Sequence, residues 1–197
     1  MATPEVVLFD LGGVLLPFDR EQRVLTLSRA LKLTPESARA FMADALHSRL
    51  DVGEADEDEL TNALCDLAGW AVPREAALAL ILSVFEAPNV ALWECAASLK
   101  ARARVGGFSD NPTFVREVFP DGYTLDPMFW SAELGLTKAD ARAYAAVEAR
   151  LGVNPGAIVL IDDSLANVAL AREIGWDAIH FRANRQVIGE LAERGFE

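Results

Sequence analysis

The rhythm of apolar and polar positions along the chain changes twice. Residues 5–9 form a short β-branched and aromatic run that ends in Asp10-Leu11-Gly12-Gly13, the pattern of a buried strand followed by a glycine-permitted turn. Pro17 interrupts that pattern, and from Phe18 to Ala87 the apolar spacing is helical. Residues 21–31 repeat apolar side chains at helical intervals, and Thr34-Pro35-Glu36 reads as an N-cap with proline at the first helical position. Residues 56–68 and 73–85 predict two further helices, the former closed by Gly69.

After Pro88 the elements alternate. A helix over 92–102 leads to a strand over 103–108 that ends at Ser109-Asp110-Asn111, then to a helix over 112–118 and a short strand over 128–131. A helix over 139–151 precedes the strongly apolar strand 157–161, which ends at Asp162-Asp163-Ser164; a helix to Ile174, a strand over 177–181 and a final helix complete the chain. This alternation predicts an α/β fold, a Rossmann-like parallel sheet core flanked by helices. The helical stretch is then a helical-bundle cap inserted after the first strand, with residues 17–87 as cap and residues 1–16 and 88–197 as core.

Composition narrows the function. With 197 residues, 52% of them hydrophobic, the chain can bury a large core without disulfide or metal staples. A formal charge of −12 argues against nucleic acid as partner and requires any phosphate site to carry its own positive groups. Cys65 and Cys95, with no paired spacing, suit a reducing compartment. The N-terminus has no basic stretch, its apolar run is broken by Asp10, and the apolar residues 76–85 make about half a bilayer span. The expectation is a cytoplasmic protein without membrane partners, acting as a monomer or homodimer. The acidic residues 51–59 read as a solvated turn and helix start.

In open α/β sheets the ligand lies at the carboxyl ends of the strands. Here three strands end in Asp10, in Ser109 and in Asp162-Asp163. Carboxylates that converge in a dry crevice repel one another unless a cation joins them, and an all-oxygen set suits magnesium better than zinc. Lys138, after Leu134-Gly135-Leu136-Thr137, opens the helix that follows the short strand, where its charge can balance a carboxylate and a transferring phosphoryl group. Asp163 or Ser164 alone could equally be a helix cap. The whole set, each member at a strand end or helix start, points to a site.

These residues resemble the four motifs of the haloacid dehalogenase superfamily of aspartate-based phosphohydrolases. The likeness runs through Phe9-Asp10-Leu11-Gly12-Gly13-Val14-Leu15, Ser109, Lys138, and Ile161-Asp162-Asp163-Ser164 with Asn167, and it covers essentially the whole chain. The insert resembles the small helical cap of one subclass. Asp-Leu-Gly-x-Val, with Gly53-Glu54 before an acidic helix start, is similar to the subgroup of sugar-phosphate phosphatases such as alpha-D-glucose-1-phosphate phosphatase.

The resemblance implies a magnesium-dependent phosphatase acting on a small, sugar-type phosphate monoester. Asp10 is the implied nucleophile, forming an aspartyl-phosphate. Asp10, the Gly12 carbonyl and Asp163 are the implied magnesium ligands, with Asp162 as a further or water-mediated one. Ser109, Asp110, Asn111 and Lys138 are the implied substrate contacts, through the Ser109 hydroxyl and the amides beside it, and Lys138 offsets the gathered charge. Asn167 orients the acidic loop.

Two positions depart from the family pattern. Most family phosphatases carry a second aspartate, the acid and base, two positions after the nucleophile; here Gly12 stands there. A positioned proton donor contributes about a hundred- to ten-thousand-fold. Either a cap residue or water replaces it, the leaving group needs little protonation, or the protein is a weakly active or inactive binding or regulatory member. A 2-haloacid dehalogenase is the weaker alternative, since such an enzyme needs no metal and has no use for paired aspartates. The second departure is Asp110, where relatives have asparagine. Its carboxylate is expected to turn outward and cap the helix near Pro112, aided by the turn chemistry of Asn111.

Gly106-Gly107 within a strand predicts a close backbone approach. His47 and His180 read as packed or solvated, with His47 on the cap side, and Arg49 is a candidate substrate contact. Trp70, Trp93, Trp130 and Trp176 are expected in the core or at the cap interface.

Overall fold

The computed structural model describes residues 4–17, 19–83, 85 and 87–196. Phe18, the first residue of the expected helical stretch, lies outside the described residues, as does Val84 near the end of the helix expected over 73–85.

Five parallel strands form one sheet: β1 (Val6–Phe9), β2 (Arg104–Ser109), β3 (Met128–Trp130), β4 (Ile158–Asp162) and β5 (Asp177–His180). Their order is β3-β2-β1-β4-β5, so β1 is central and pairs with β2 on one side and β4 on the other. Strand side chains alternate between the two faces, and each face has its own core. Val7, Phe9, Val105, Val159 and Ile161 pack on one face. Val6, Leu8, Phe108, Ile158 and Leu160 pack on the other, under α8 (Ala141–Leu151) and α9 (Leu165–Glu173). A sheet buried on both sides is the reason these strands read as continuous apolar runs rather than alternating ones.

Between β1 and α6 (Val90–Leu99) the described residues form five helices: α1 (Arg20–Leu31), α2 (Pro35–Met42), α3 (Ala45–Asp51), α4 (Glu57–Ala68) and α5 (Arg74–Leu82). Local chemistry fixes most of their ends. Asp19, Thr34, Asp44 and Asp56 each accept backbone N–H bonds from the first turn they precede, and Gly69 closes α4 in the left-handed region. Their apolar faces, including Leu27, Leu50, Leu60 and Ile81, join the same core cluster as Val7 and Phe9. The acidic stretch behaves as expected at its far end. Asp56 caps α4, Glu57 and Asp58 pair with Arg74, and Glu59 pairs with Arg49.

Several boundaries and placements differ from expectation. Residues 113–118 form a 3-10 turn rather than an α-helix, beginning after Pro112 with no side-chain cap. A four-residue helix, α7 (Ser131–Leu134), follows β3 directly, and α8 starts at Ala141 with Asp140 as cap, so Lys138 sits in the loop before α8 rather than opening it. The final helix is α10 (Asn184–Glu193). Trp93, Trp130 and Trp176 are buried as expected; Trp70, just past the C-terminal end of α4, is about half exposed. The close approach at Gly106-Gly107 is real. A Cβ on Gly106 would run into the Pro127 carbonyl, and one on Gly107 into the Met128 sulfur, so side chains there would push β3 off the sheet. Cys65 and Cys95 are both free. Among the described residues no helix is long and apolar enough to cross a membrane.

Candidate active site

The central strand delivers Asp10 to the carboxyl edge of the sheet, where its N–H bonds the Ile161 carbonyl at 2.8 Å. The chain then folds back on itself. Leu16 N–H bonds the Leu11 carbonyl at 2.7 Å, Gly13 N–H bonds the Leu16 carbonyl at 3.0 Å, and Gly13 adopts a φ of 77° that only glycine holds without strain. Trp93 Nε1 anchors this loop from α6 by donating to the Leu15 carbonyl at 3.1 Å.

Within that frame the Asp10 carboxylate is fixed on both oxygens. Oδ1 accepts the Leu11 N–H at 2.7 Å, and Oδ2 lies 2.8 Å from Lys138 Nζ. The same ammonium donates to Asp162 Oδ2 at 2.6 Å. All three side chains are buried, so a single lysine bridges two carboxylates in a poorly solvated place. Burial works against the Lys138 charge, but Asp10, Asp162 and Asp110 outweigh it and hold the lysine above its ordinary pKa. For Asp10 burial dominates. It pushes the carboxyl up to about 8 against the pull of Lys138, with Asp162 and Asp163 adding to the rise.

Asp162 and Asp163 are neighbours with different surroundings. Asp162 is fully buried and its oxygens are engaged by Lys138, by the Ser164 N–H at 2.8 Å and by Asn167 Nδ2 at 3.2 Å. Asn167 therefore orients the acidic loop, as expected. Asp163 is exposed to the cavity and packs so closely on Gly13 that a Cβ there would collide with its carboxylate. Burial and the Asp162 charge both raise its pKa. One oxygen from each of Asp10, Asp162 and Asp163 lies within 4.8 Å of the other two. An all-oxygen cluster that one ammonium leaves short of neutral is the donor chemistry of a hard divalent cation. Asp10 and Asp163 are the members with a face toward the cavity, and Gly12 lines it beside them.

Ser109, at the end of β2, is fully buried, and its Oγ accepts a bond from Asn111 Nδ2 at 2.9 Å. Asp110 and Asn111 line the cavity. The Asp110 carboxylate does not cap the turn after Pro112. It accepts the Lys138 backbone N–H at 2.8 Å, because the lysine loop offers a donor and a positive charge that the start of the 3-10 turn lacks. Burial raises the Asp110 pKa, with Lys138 pulling the other way.

The cavity has a volume of about 820 Å³ and is walled on the opposite side by the inserted helices. Glu21, Arg23, Arg39, His47 and Asp51 are the polar residues that these helices bring to it. The His47 ring packs edge-on to Phe41 at 5.0 Å, and among the described residues neither ring nitrogen has a hydrogen-bond partner. Burial, reinforced by the Arg23 charge, lowers its pKa. Arg49 is not on the cavity wall. Its guanidinium donates to the Glu54 carbonyl at 2.8 Å and to Glu59 at 3.0 Å, held by the acidic turn. His180 sits behind the site, with Nε2 at 3.0 Å from the Asp163 carbonyl.

The reading of residues 51–59 as one solvated run concealed Asp51. It is the last residue of α3, half-buried and on the cavity wall. The available signal was its place: a carboxylate at a helix C-terminus opposes the helix dipole.

No protein-family model matches the chain. It is 23% identical over 183 residues to a D-ribitol-5-phosphate phosphatase of Bacteroides thetaiotaomicron, covering 87% of this chain and 88% of that one. Its fold matches a HAD-like family hydrolase of Porphyromonas gingivalis with a TM-score of 0.84 at 22% identity, over the full length of both chains. It also matches a HAD family enzyme of Bacteroides thetaiotaomicron, solved in complex with magnesium and inorganic phosphate. There the TM-score is 0.81 at 21% identity, over 91% of this chain and 95% of that one. The chain is therefore similar in fold to these HAD-like hydrolases, with Asp10, Asp162 and Asp163 gathered at the carboxyl edge of its five-stranded parallel sheet.

Proposed function

We propose that the chain is a magnesium-dependent phosphatase that hydrolyses a small, sugar-type phosphate monoester through an aspartyl-phosphate on Asp10. The observation that carries this reading is the Asp10 carboxylate, pinned by Lys138 and Leu11 N–H beside the exposed Asp163 at the floor of the cavity. The D-ribitol-5-phosphate phosphatase relative and the magnesium and phosphate complex of a fold relative support the substrate type and the ion.

Asp10, Asp163 and the Gly12 carbonyl would hold the magnesium, with Asp162 acting from behind through Lys138 and water. When bound, the ion neutralises the phosphoryl oxygens and the attacking carboxylate. Asp10 then bonds to phosphorus as the ester P–O bond breaks, and water cleaves the aspartyl-phosphate in a second step. Lys138 offsets the negative charge that gathers as the two anions meet. Asn111 and the amides around Ser109 would receive the phosphoryl oxygens. The helices at residues 17–87 would act as a cap that excludes bulk water and large substrates.

The test is hydrolysis of p-nitrophenyl phosphate and of a panel of sugar and polyol phosphates, with and without magnesium. The expected result is magnesium-dependent release of phosphate that Asp10→Asn abolishes. No turnover across the panel, or turnover that survives Asp10→Asn, overturns the reading.

A further inference from the structure

Gly12 leaves the reaction without the proton donor that usually stands beside the nucleophile, and the structure offers a carboxyl group from the facing wall. We propose that Asp51 of α3 is the general acid and base of this site, supplied across the cavity by the inserted helices. The assignment rests on the phosphatase reading above and adds a residue to it.

Asp51 and His47 lie one turn apart on α3, and both face the cavity that Asp10, Lys138 and Asp110 line from the sheet. Among the described residues nothing donates a hydrogen bond to the Asp51 carboxyl. The charged groups that act on it among the described residues are Arg23 from α1 and Asp110 from the loop after β2. Asp110 adjoins Ser109 and holds the Lys138 backbone, and Asp51 lines the same cavity as Asp110, Lys138 and Asp10.

Asp51 is also tuned for the work. Burial, and then the Asp110 charge, push its carboxyl up to about 6 against the pull of Arg23. The end of α3 adds a dipole that disfavours the anion. A group poised near the working pH both gives and takes a proton readily.

In the first step an Asp10 oxygen bonds to phosphorus while the ester P–O bond breaks. The departing oxygen keeps the bonding pair and takes the Asp51 proton, leaving as an alcohol. In the second step water bonds to phosphorus and gives one proton to the Asp51 carboxylate as the Asp10–phosphorus linkage breaks. Phosphate leaves, and Asp10 and Asp51 return to their starting forms.

The experiment compares wild type with Asp51→Asn and Asp51→Glu on two kinds of ester. One is p-nitrophenyl phosphate, whose phenolate departs with little need of a proton. The other is D-ribitol 5-phosphate, or whichever sugar or polyol phosphate the wild type turns over fastest. Asp51→Asn is expected to lower kcat on the alkyl ester on the order of 10²–10⁴-fold, and on the aryl ester by a factor at least about tenfold smaller, with Asp51→Glu recovering part of the loss. Thermal unfolding checks that the variants fold. Equal losses on both esters, or no loss on the alkyl ester, overturn the assignment. So does a wild type that hydrolyses only the aryl ester, since a built-in proton donor carries alkyl leaving groups. A wild type inactive on both overturns the phosphatase reading itself, a distinct outcome.

Discussion

The Asp110 carboxylate accepts the backbone N–H of Lys138 at 2.8 Å, joining the loop after β2 to the loop after β3. The side chain of that lysine reaches Asp10 at 2.8 Å and Asp162 at 2.6 Å. Asp110 therefore fixes the backbone from which the ammonium is aimed. Its charge faces a lysine loop, which answers the repulsion that a carboxylate beside a phosphoryl site would otherwise cause.

This pairing predicts unequal effects of two substitutions. Asp110→Asn keeps an acceptor oxygen of the same size and is expected to retain most of the activity. Asp110→Ala strands a backbone N–H, which costs about 1–3 kcal/mol when buried, and frees the lysine loop to move. The expected outcome is a lower melting temperature and a kcat reduced at least about tenfold, measured by thermal unfolding and steady-state kinetics on the same preparations.

Lys138→Met tests the bridge itself. Methionine approximates the lysine stem but leaves Asp10 and Asp162 facing each other without a counter-charge. Removing one partner from a buried charged set costs about 3–5 kcal/mol, against a total stability of about 5–15 kcal/mol for a domain. Urea unfolding is expected to show a loss of that size, and the folded fraction is expected to have no phosphatase activity. A variant as stable as wild type would mean that the bridge carries little of the fold.

Most of the frame was legible because its signals are local. The strand ends carry Asp10, Ser109 and Asp162 in plain sight, and a parallel sheet must gather such ends on one edge. Gly106 announced the contact with Pro127, since no other residue fits there. What stayed hidden depends on partners distant in sequence. Asp110 looked like a helix cap because Pro112 follows it, and the preferred donor, Lys138, is 28 positions on. Arg49 looked like a ligand contact until Glu59 claimed it. Asp51 was masked by the acidic residues after it, although it alone of that run, as the last residue of α3, reaches the cavity wall.

Gly13→Ala is expected to damage ion binding more than folding. The new Cβ would occupy the place of the Asp163 carboxylate and would hold a left-handed backbone that alanine resists, a strain of about 1 kcal/mol or more. Asp163 is a proposed magnesium ligand and is exposed, so it yields more easily than the buried loop does. Calorimetric titration with magnesium is expected to show affinity weakened at least about tenfold, with a melting temperature that falls by only a few degrees. Unchanged magnesium affinity would remove Asp163 from the ligand set.

The pH dependence of stability gives an independent view of Asp51. Its carboxyl has a pKa of about 6 in the folded chain against an ordinary value of 3.8, raised by burial and by Asp110. A carboxyl raised on folding binds its proton more tightly in the folded state, so ionising it destabilises the fold. That penalty is absent below the ordinary value, grows as pH climbs toward about 6 and is fully present above it. Asn at this position cannot ionise and escapes the penalty. The melting temperature of Asp51→Asn is therefore expected to equal that of wild type near pH 4 and to exceed it by on the order of a few degrees at pH 7. Thermal unfolding at intervals across that window measures the difference directly. A difference of the opposite sign, with wild type gaining on the variant as pH rises, would mean that a positive partner holds Asp51 ionised in the folded state. An aspartate held in that way has no proton to give the leaving alcohol, and the role assigned to it would fall with the sign.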